Sequence, residues 1–279
     1  MKVTKKLIPA IAMLVISAVT LSSASFAWFT MSKQVQVSQI NLTATSADSL
    51  LIAKGTTKPA IGDYATSVAF DPFTGILVQS SSKTGVIGTF FTTNTPLAGG
   101  TIGDSTQILA VETPDSAADA QAAALSGEAN GVFYVDADLW LLNTGSSDIN
   151  VKVVANIAGT NIYKAIRVAV LSVGEADAES VPTLSGTSIL APAGYTTGYK
   201  AVTAAGTGIA AAALEDPALY VADSAIFALP KTVVADYTEE SEDAQHVRIR
   251  IWLEGQDASC ISQFAGESFS VALEFSVIG

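Results

Sequence analysis

The sequence predicts an all-β protein, built as a β-sandwich of two antiparallel sheets with a short helix and long loops. Stretches in the second half of the chain alternate apolar and polar residues, which is typical of half-buried strands. One apolar and one polar face per strand is the pattern expected when two antiparallel sheets pack face to face. Charged residues make up only 14% of the chain, against about 25% in a typical domain.

The N-terminal 27 residues predict a secretory signal helix. Three lysines precede residue 7, and no further charge occurs until Lys33. A basic start, an apolar run over 7–21 and a small-residue zone over 22–27 are the parts of an export signal. Ser25 and Ala27 suit the small positions before a cleavage site, so we predict cleavage before Trp28 and a single exported domain over 28–279. The alternative is an uncleaved membrane anchor, because a run of about 20 apolar residues spans a bilayer.

The charge of the mature chain disfavours two classes of partner. All 26 acidic residues and 11 of the 14 basic residues follow residue 27, so the mature net charge is 11 − 26 = −15. Nucleic acid and anionic lipid need Lys and Arg on the protein, so neither is expected as a ligand. Membrane contact is expected only through an uncleaved signal segment. Cys260 is the single cysteine, which either cross-links two chains or lies partly buried beside a turn.

Residues 28–44 are rich in Val, Gln and Thr and are predicted to form an extended segment. Val35 and Val37 point to one side, whereas Ile40 and Leu42 are offset by one residue, which predicts a bulge or bend. Such a strand can complete the open sheet edge of a partner through main-chain hydrogen bonds, or it can pair within its own molecule.

The middle of the chain is less regular. Residues 55–110 read as short strands and loops, and the alanines of 116–125 predict a short helix between Pro114 and Gly127. Residues 175–245 are predicted to be irregular, with a solvated acidic run over 239–243.

Five strands are predicted from their alternation, and a tight loop over 143–148 joins the first two. They are Val132–Leu141, Asp148–Ala158, Ile166–Val173, His246–Glu254 and Ser268–Val277. The predicted inward faces of the three clearest strands are Phe133, Val135, Ala137, Leu139 and Leu141, then Val247, Ile249, Ile251 and Leu253, then Phe269, Val271, Leu273, Phe275 and Val277.

No motif predicts a catalytic, cofactor-binding or metal-ligating residue. The S-x-x-K and K-T-G patterns near Lys83 overlap, although in penicillin-binding enzymes they occupy separate segments. His246 is the only histidine and is expected to be solvated, so H-E-x-x-H cannot occur. No G-x-S-x-G elbow is present either.

Two pairs of charged residues and two tryptophans on the strands are candidate sites. Asp136 and Asp138 share a strand face and so do Arg248 and Arg250, which favours cross-strand ion pairing over a calcium site or a general acid–base pair. Trp140 and Trp252 lie on polar strand faces, so they are candidate surface aromatics that could stack on sugar rings unless loops cover them.

Both ends of the chain resemble a family of exported proteins. Residues 22–31 resemble the cleavage zone of Gram-positive Firmicutes proteins that an ER-type signal peptidase processes, the SipW-dependent type. Residues 247–257, followed by Cys260 and the strand over 269–275, resemble the C-terminal signature of the same group. The chain is similar in these regions to the TasA/camelysin family of biofilm-matrix fibre proteins.

The resemblance implies a jelly-roll sandwich whose subunits polymerise by lending an N-terminal strand to the next molecule. The expected function is therefore a secreted structural subunit of cell-surface or matrix fibres, with signal peptidase and further copies of the chain as partners. Val35, Val37, Ile40 and Leu42 would carry the assembly strand. The metalloprotease activity ascribed to some camelysin-like members is not expected with one histidine. A surface module that binds glycan or a host protein is the alternative, and a hydrolase with an unrecognised carboxylate pair is a third.

Overall fold

The computed structural model describes fifteen stretches of the chain. They are residues 36–44, 50–73, 75–83, 86–92, 109–111, 131–173, 179–180, 189–192, 220–221, 224–233, 244–255, 257, 259–260, 264 and 266–278. The predicted signal helix, its cleavage site at Ser25, Ala27 and Trp28, the predicted helix over 116–125 and the acidic run over 239–243 lie outside these residues, as does Val35.

The fold is a sandwich of two main β-sheets, as predicted, but the sheets are not purely antiparallel as expected, since each contains one parallel strand pair. One sheet contains, in spatial order, β15 (Ser224–Leu229), β10 (Ile149–Gly159), β17 (Ser268–Ile278), β1 (Gln36–Ala44) and β3 (Ser67–Phe70). The other contains β14 (Tyr220–Val221), β13 (Ile189–Leu190), β11 (Ile166–Val173), β16 (Ala244–Leu253), β9 (Tyr134–Asn143) and β2 (Leu50–Lys54), and β12 (Glu179–Ser180) pairs with β11.

Smaller sheets and turns complete the described structure. One small sheet pairs β4 (Ile76–Leu77) with β8 (Gly131–Val132), and another contains β5 (Ser81–Lys83), β6 (Val86–Thr92) and β7 (Leu109–Val111). Helical structure within the described residues consists of two short 3-10 turns, Ile61–Asp63 and Ile162–Ala165.

The core lies between the two main sheets, where the predicted inward faces meet. All of the predicted inward residues of β16 and β17 are buried except Val277, which is half-buried. The predicted inward residues of β9 and Phe133, which lies just before β9, are also buried, except Val135, which is half-buried. One continuous apolar cluster joins residues from both sheets, so burial of these side chains is what holds the sandwich together.

Consecutive long strands lie in opposite sheets, which makes each short connection a link between the two layers. The loop from β9 to β10 is held by Asn143, which is fully buried. Its side-chain oxygen accepts a hydrogen bond from the Gly145 N–H, and its amide donates to the Ser147 carbonyl. The turn Ile162–Ala165 crosses from β10 to β11, and the Glu267 carboxylate accepts hydrogen bonds from the N–H groups of Asn161 and Ile162.

Strand β1 is inserted between β17 and β3. It runs parallel to β17 and antiparallel to β3, and a register shift between Val37 and Gln39 confirms the predicted bulge. Ile40 and Leu42 contribute to the core, with 2% and 0% of their surface exposed. Within the described residues, β3 is the last strand at this edge of the sheet. The Lys54 ammonium donates to the carbonyl of Ala69 in β3 at 3.3 Å.

Two expectations about regular structure need correction. The stretch 175–245 was predicted to be irregular, but Ser224–Leu229 forms β15 and pairs along its length with β10. A six-residue strand within an alanine-rich region gives too short an alternation to be recognised by period alone. Strand β11 was predicted from alternation, yet all of its residues except Ser172 are buried, so its outer face is covered as well as its inner face.

Candidate functional site

Strands β9 and β16 bring the sequence-predicted polar residues into one cross-strand ladder. The directly opposed pairs are His246 with Trp140, Arg248 with Asp138, Arg250 with Asp136, and Trp252 with Tyr134. Alternation places all eight side chains on the face of the sheet that points away from the sandwich core. The register therefore lines up oppositely charged and aromatic partners residue by residue.

The two aspartates are held by arginines, as the sequence predicted. The Arg250 guanidinium donates to both carboxylate oxygens of Asp136, at 2.9 and 2.8 Å, and it lies 4.0 Å from the centre of the Tyr134 ring. Arg248 donates to Asp138 at 2.9 Å. Carboxylates engaged in this way support the register and stability of the two strands.

His246 is not solvated, contrary to the prediction. It is 8% exposed, its ring stacks on Trp140 with the centroids 4.6 Å apart, and its Nε2 lies 2.9 Å from Asp138 Oδ1. Its position at the start of a strand, beside an acidic run, suggested exposure, but Trp140 covers one face of the imidazole. Trp140 itself is half-buried, and its Nε1 donates to the Gly55 carbonyl.

The prediction of Trp252 as a surface aromatic is wrong. None of its surface is exposed, and its indole N–H donates to the Glu254 carboxylate at 3.1 Å. It lies on the predicted face of β16, but that face is covered at this end of the strand. Of the two aromatic candidates for sugar stacking, only Trp140 retains some exposure, and its ring is already stacked on His246.

A second polar cluster, which sequence reasoning missed, lies just after β16. Arg167 and Asp257 form an ion pair at 2.6 Å with side-chain exposures of 0% and 1%, and Glu254 and Ser80 are buried beside this turn. Arg167 also donates to the carbonyls of Lys164 and Ile166. Arg167 and Asp257 are 90 residues apart, so no local spacing could have indicated their pairing.

Asp138 provides a pH-dependent contribution to stability. Burial opposes ionisation, but hydrogen bonds from His246 and Arg248 prevail and hold the pKa of Asp138 below its usual value. A group with a depressed folded-state pKa stabilises the fold above its unfolded pKa, and this contribution is lost as pH falls through the folded pKa.

We therefore expect Asp138→Asn to lower the free energy of unfolding by about 1.5–3 kcal/mol at neutral pH, the usual loss for a hydrogen bond to a charged group. Denaturant unfolding from neutral pH to below about pH 4 should show wild type and variant converging in acid. Asp63→Asn, at an exposed position, is the control and should match wild type at neutral pH. A gap between Asp138→Asn and wild type that stays constant with pH would contradict this account.

The described residues show neither a metal centre nor a membrane span. No group of three or more His, Cys, Asp or Glu side chains in that part of the chain is placed to hold a metal ion. Within the same residues, no helix has the length and apolar character needed to cross a bilayer.

No protein-family model, curated protein or solved structure matches the chain significantly, so fold and site geometry carry the functional argument.

Proposed function

We propose that this chain is a secreted structural protein, a subunit of cell-surface or matrix fibres that assemble when each copy donates its N-terminal strand to the next. The export signal predicted over 1–27 and the resemblance of both chain ends to a fibre-forming family support this proposal. The ion-paired state of Asp136 and Asp138 also fits a structural role better than a hydrolytic one.

The observation that carries the proposal is the position of β1. This strand lies between β17 and β3 and supplies Ile40 and Leu42 to the core. A molecule without β1 would expose a sheet edge on β17 and an apolar slot, and a second copy of β1 fits both. The same strand can therefore close its own sandwich or that of a neighbour with the same contacts.

The connection to β2 limits how far apart donor and acceptor can be. Five residues, 45–49, join Ala44 to Leu50, and fully extended they bridge about 20 Å. A donated β1 would therefore insert into a sandwich in direct contact with its own. This constraint favours a compact fibre in which neighbouring sandwiches touch.

A jelly-roll winding is part of the proposal. The orders β1-β17-β10-β15 and β9-β16-β11-β13 in the two sheets match those of two interlocked Greek keys. The parallel pairing of β1 with β17 departs from an all-antiparallel jelly roll. If a neighbouring molecule supplies β1, the path of the chain no longer fixes the direction in which β1 runs beside β17.

Electron microscopy of a chain that begins at Trp28, beside one that begins at Thr45, tests whether β1 is needed for assembly. We expect fibres from the first chain only, and reduced stability of the second, since it lacks two core residues. A synthetic peptide of residues 28–44 should restore the stability of the shortened chain without producing fibres. If the longer chain stays monomeric over a wide range of concentration, salt and pH, the proposal is wrong.

A cysteine pair tests whether the strand is exchanged within the fibre. Asn41 and Ala69 are opposed in the β1–β3 ladder, and neither side chain is buried. In a Cys260→Ser background, Asn41→Cys with Ala69→Cys should give disulfide-linked multimers on a non-reducing gel when assembled fibres are oxidised. Oxidation before assembly should give linked monomers that no longer form fibres. Fibres that yield only linked monomers would contradict strand donation while leaving a fibre function intact.

Two single substitutions test which face of β1 must enter the core for fibres to form. Leu42→Asp places a charge in the core and should abolish fibres, whereas Thr43→Asp places the same charge at an exposed position and should preserve them. Equal loss of fibres in both variants would show that charge on the segment is responsible.

A further inference from the structure

The single cysteine of the chain lies against a glutamine side chain. The Cys260 thiol points to the Gln79 carboxamide, with Sγ 3.7 Å from Oε1. Cys260 is 4% exposed, so water has little access to the sulfur. A thiol and a primary amide are a nucleophile and an electrophile that can form a covalent bond when they are held together.

Gln79 is held in place by the backbone on its C-terminal side. The Ser80 N–H donates to the Leu253 carbonyl, and the Gly255 N–H donates to the Ser80 carbonyl. The Ser80 hydroxyl also donates to the Phe133 carbonyl, and Ser80 is fully buried. These bonds fix the segment before β5 against the end of β16.

Cys260 is fixed from the opposite side by the turn after β16. The Cys260 N–H donates to the Asp257 carbonyl at 2.9 Å, and the Asp257 N–H donates to the Glu254 carbonyl. The buried ion pair between Asp257 and Arg167 ties this turn to β11. Two independently anchored backbone segments therefore position the thiol and the carboxamide, which lie 181 residues apart in the chain.

We propose that Cys260 and Gln79 form an intramolecular thioester. The Cys260 sulfur attacks Gln79 Cδ, a bond forms between Sγ and Cδ, and the bond between Cδ and Nε2 breaks. The thiol proton passes to the departing nitrogen, which leaves as ammonia, so the reaction needs neither an oxidant nor a reductant. The product joins the segment before β5 to the connection between β16 and β17 in a chain that cannot form an internal disulfide.

Burial limits the access of water to the sulfur, but it also makes the free thiol a weaker nucleophile. Burial, and then the charges of Glu254 and Asp257, raise the pKa of the Cys260 thiol, so a free thiolate is disfavoured there. Two groups held in contact react at a high effective concentration, which allows an unactivated amide to be attacked slowly after folding.

The mass of the intact full-length protein, denatured in acid, tests this inference. We expect a mass lower than the sequence mass by one ammonia, no titratable thiol, and one cross-linked peptide that contains residues 79 and 260. Cys260→Ser and Gln79→Ala should each have the mass of their own sequence. Treatment of the wild type with methylamine should release the thiol and leave a methylamide on Gln79.

Three results would overturn the inference. They are a full sequence mass with one titratable thiol, an ammonia loss that persists in Cys260→Ser, and a cross-linked peptide that joins other residues. A glutamate at position 79 in the wild type, with glutamine retained in Cys260→Ser, would instead support it, because it records a thioester that later hydrolysed. The inference does not depend on fibre formation, and mass measurement on monomers is sufficient to test it.

Discussion

Asp257→Ala is expected to lower the free energy of unfolding by about 3–5 kcal/mol, because it leaves the Arg167 guanidinium charged and buried without its carboxylate. The pair is 2.6 Å apart with exposures of 0% and 1%, so water cannot replace the lost partner without opening the structure. Urea unfolding at neutral pH, followed by tryptophan fluorescence, measures the change.

Two further variants show whether the effect comes from an orphaned charge. Arg248→Ala removes a partly exposed arginine and should cost about 1 kcal/mol or less. Arg167→Met combined with Asp257→Leu should recover most of the stability, because apolar residues of similar volume can replace a buried ion pair. If the double variant is as unstable as Asp257→Ala, the loss reflects packing around the turn instead.

Trp252→Ala is the second large change, with an expected loss of about 3–5 kcal/mol, as found when a fully buried aromatic residue is removed. The variant creates a cavity and also deprives the buried Glu254 carboxylate of the indole N–H. Thermal unfolding should show a much lower midpoint, or a chain that does not fold at all.

Trp252→Phe and Trp140→Ala complete this test. The phenylalanine fills most of the volume, so it isolates the hydrogen bond to Glu254 and should cost about 1–3 kcal/mol. Trp140→Ala removes a half-buried ring and should be milder than Trp252→Ala. If Trp252→Ala has the stability of the wild type, Trp252 is exposed and the sugar-binding alternative gains support.

Strong alternation made the core predictable from the sequence. The inward faces of β16 and β17 agree with the predictions, because a period of two over eight or more residues leaves little choice of register. The bounds of β11 agree as well, although both of its faces are buried. The offset between Val37 and Ile40 likewise indicated the bulge in β1. These signals are local, and for that reason one sequence is enough to reveal them.

The sites were less predictable, because their contacts join distant segments. The alternation of β16 placed Trp252 on the polar face correctly, but it carried no information about what covers that face. The contacts of Arg167 with Asp257 and of Cys260 with Gln79 depend on how the strands are threaded. Only the pairing of Asp136 and Asp138 with Arg248 and Arg250 could be inferred, since each pair occupies alternate positions on the polar face of a clearly alternating strand.

The pairing of β1 with β17 joins residue 36 to residue 268, which gives this ladder a long loop to close during folding. Pairings this distant in sequence form late, after local strands have docked. β1 is made first and β17 last, so the strand emerges well before the chain can form its own slot for it. If copies of the chain emerge close together at one cell surface, a neighbour's slot competes with the chain's own during that interval. Local subunit density, rather than bulk affinity, would then decide whether a closed monomer or a growing fibre results.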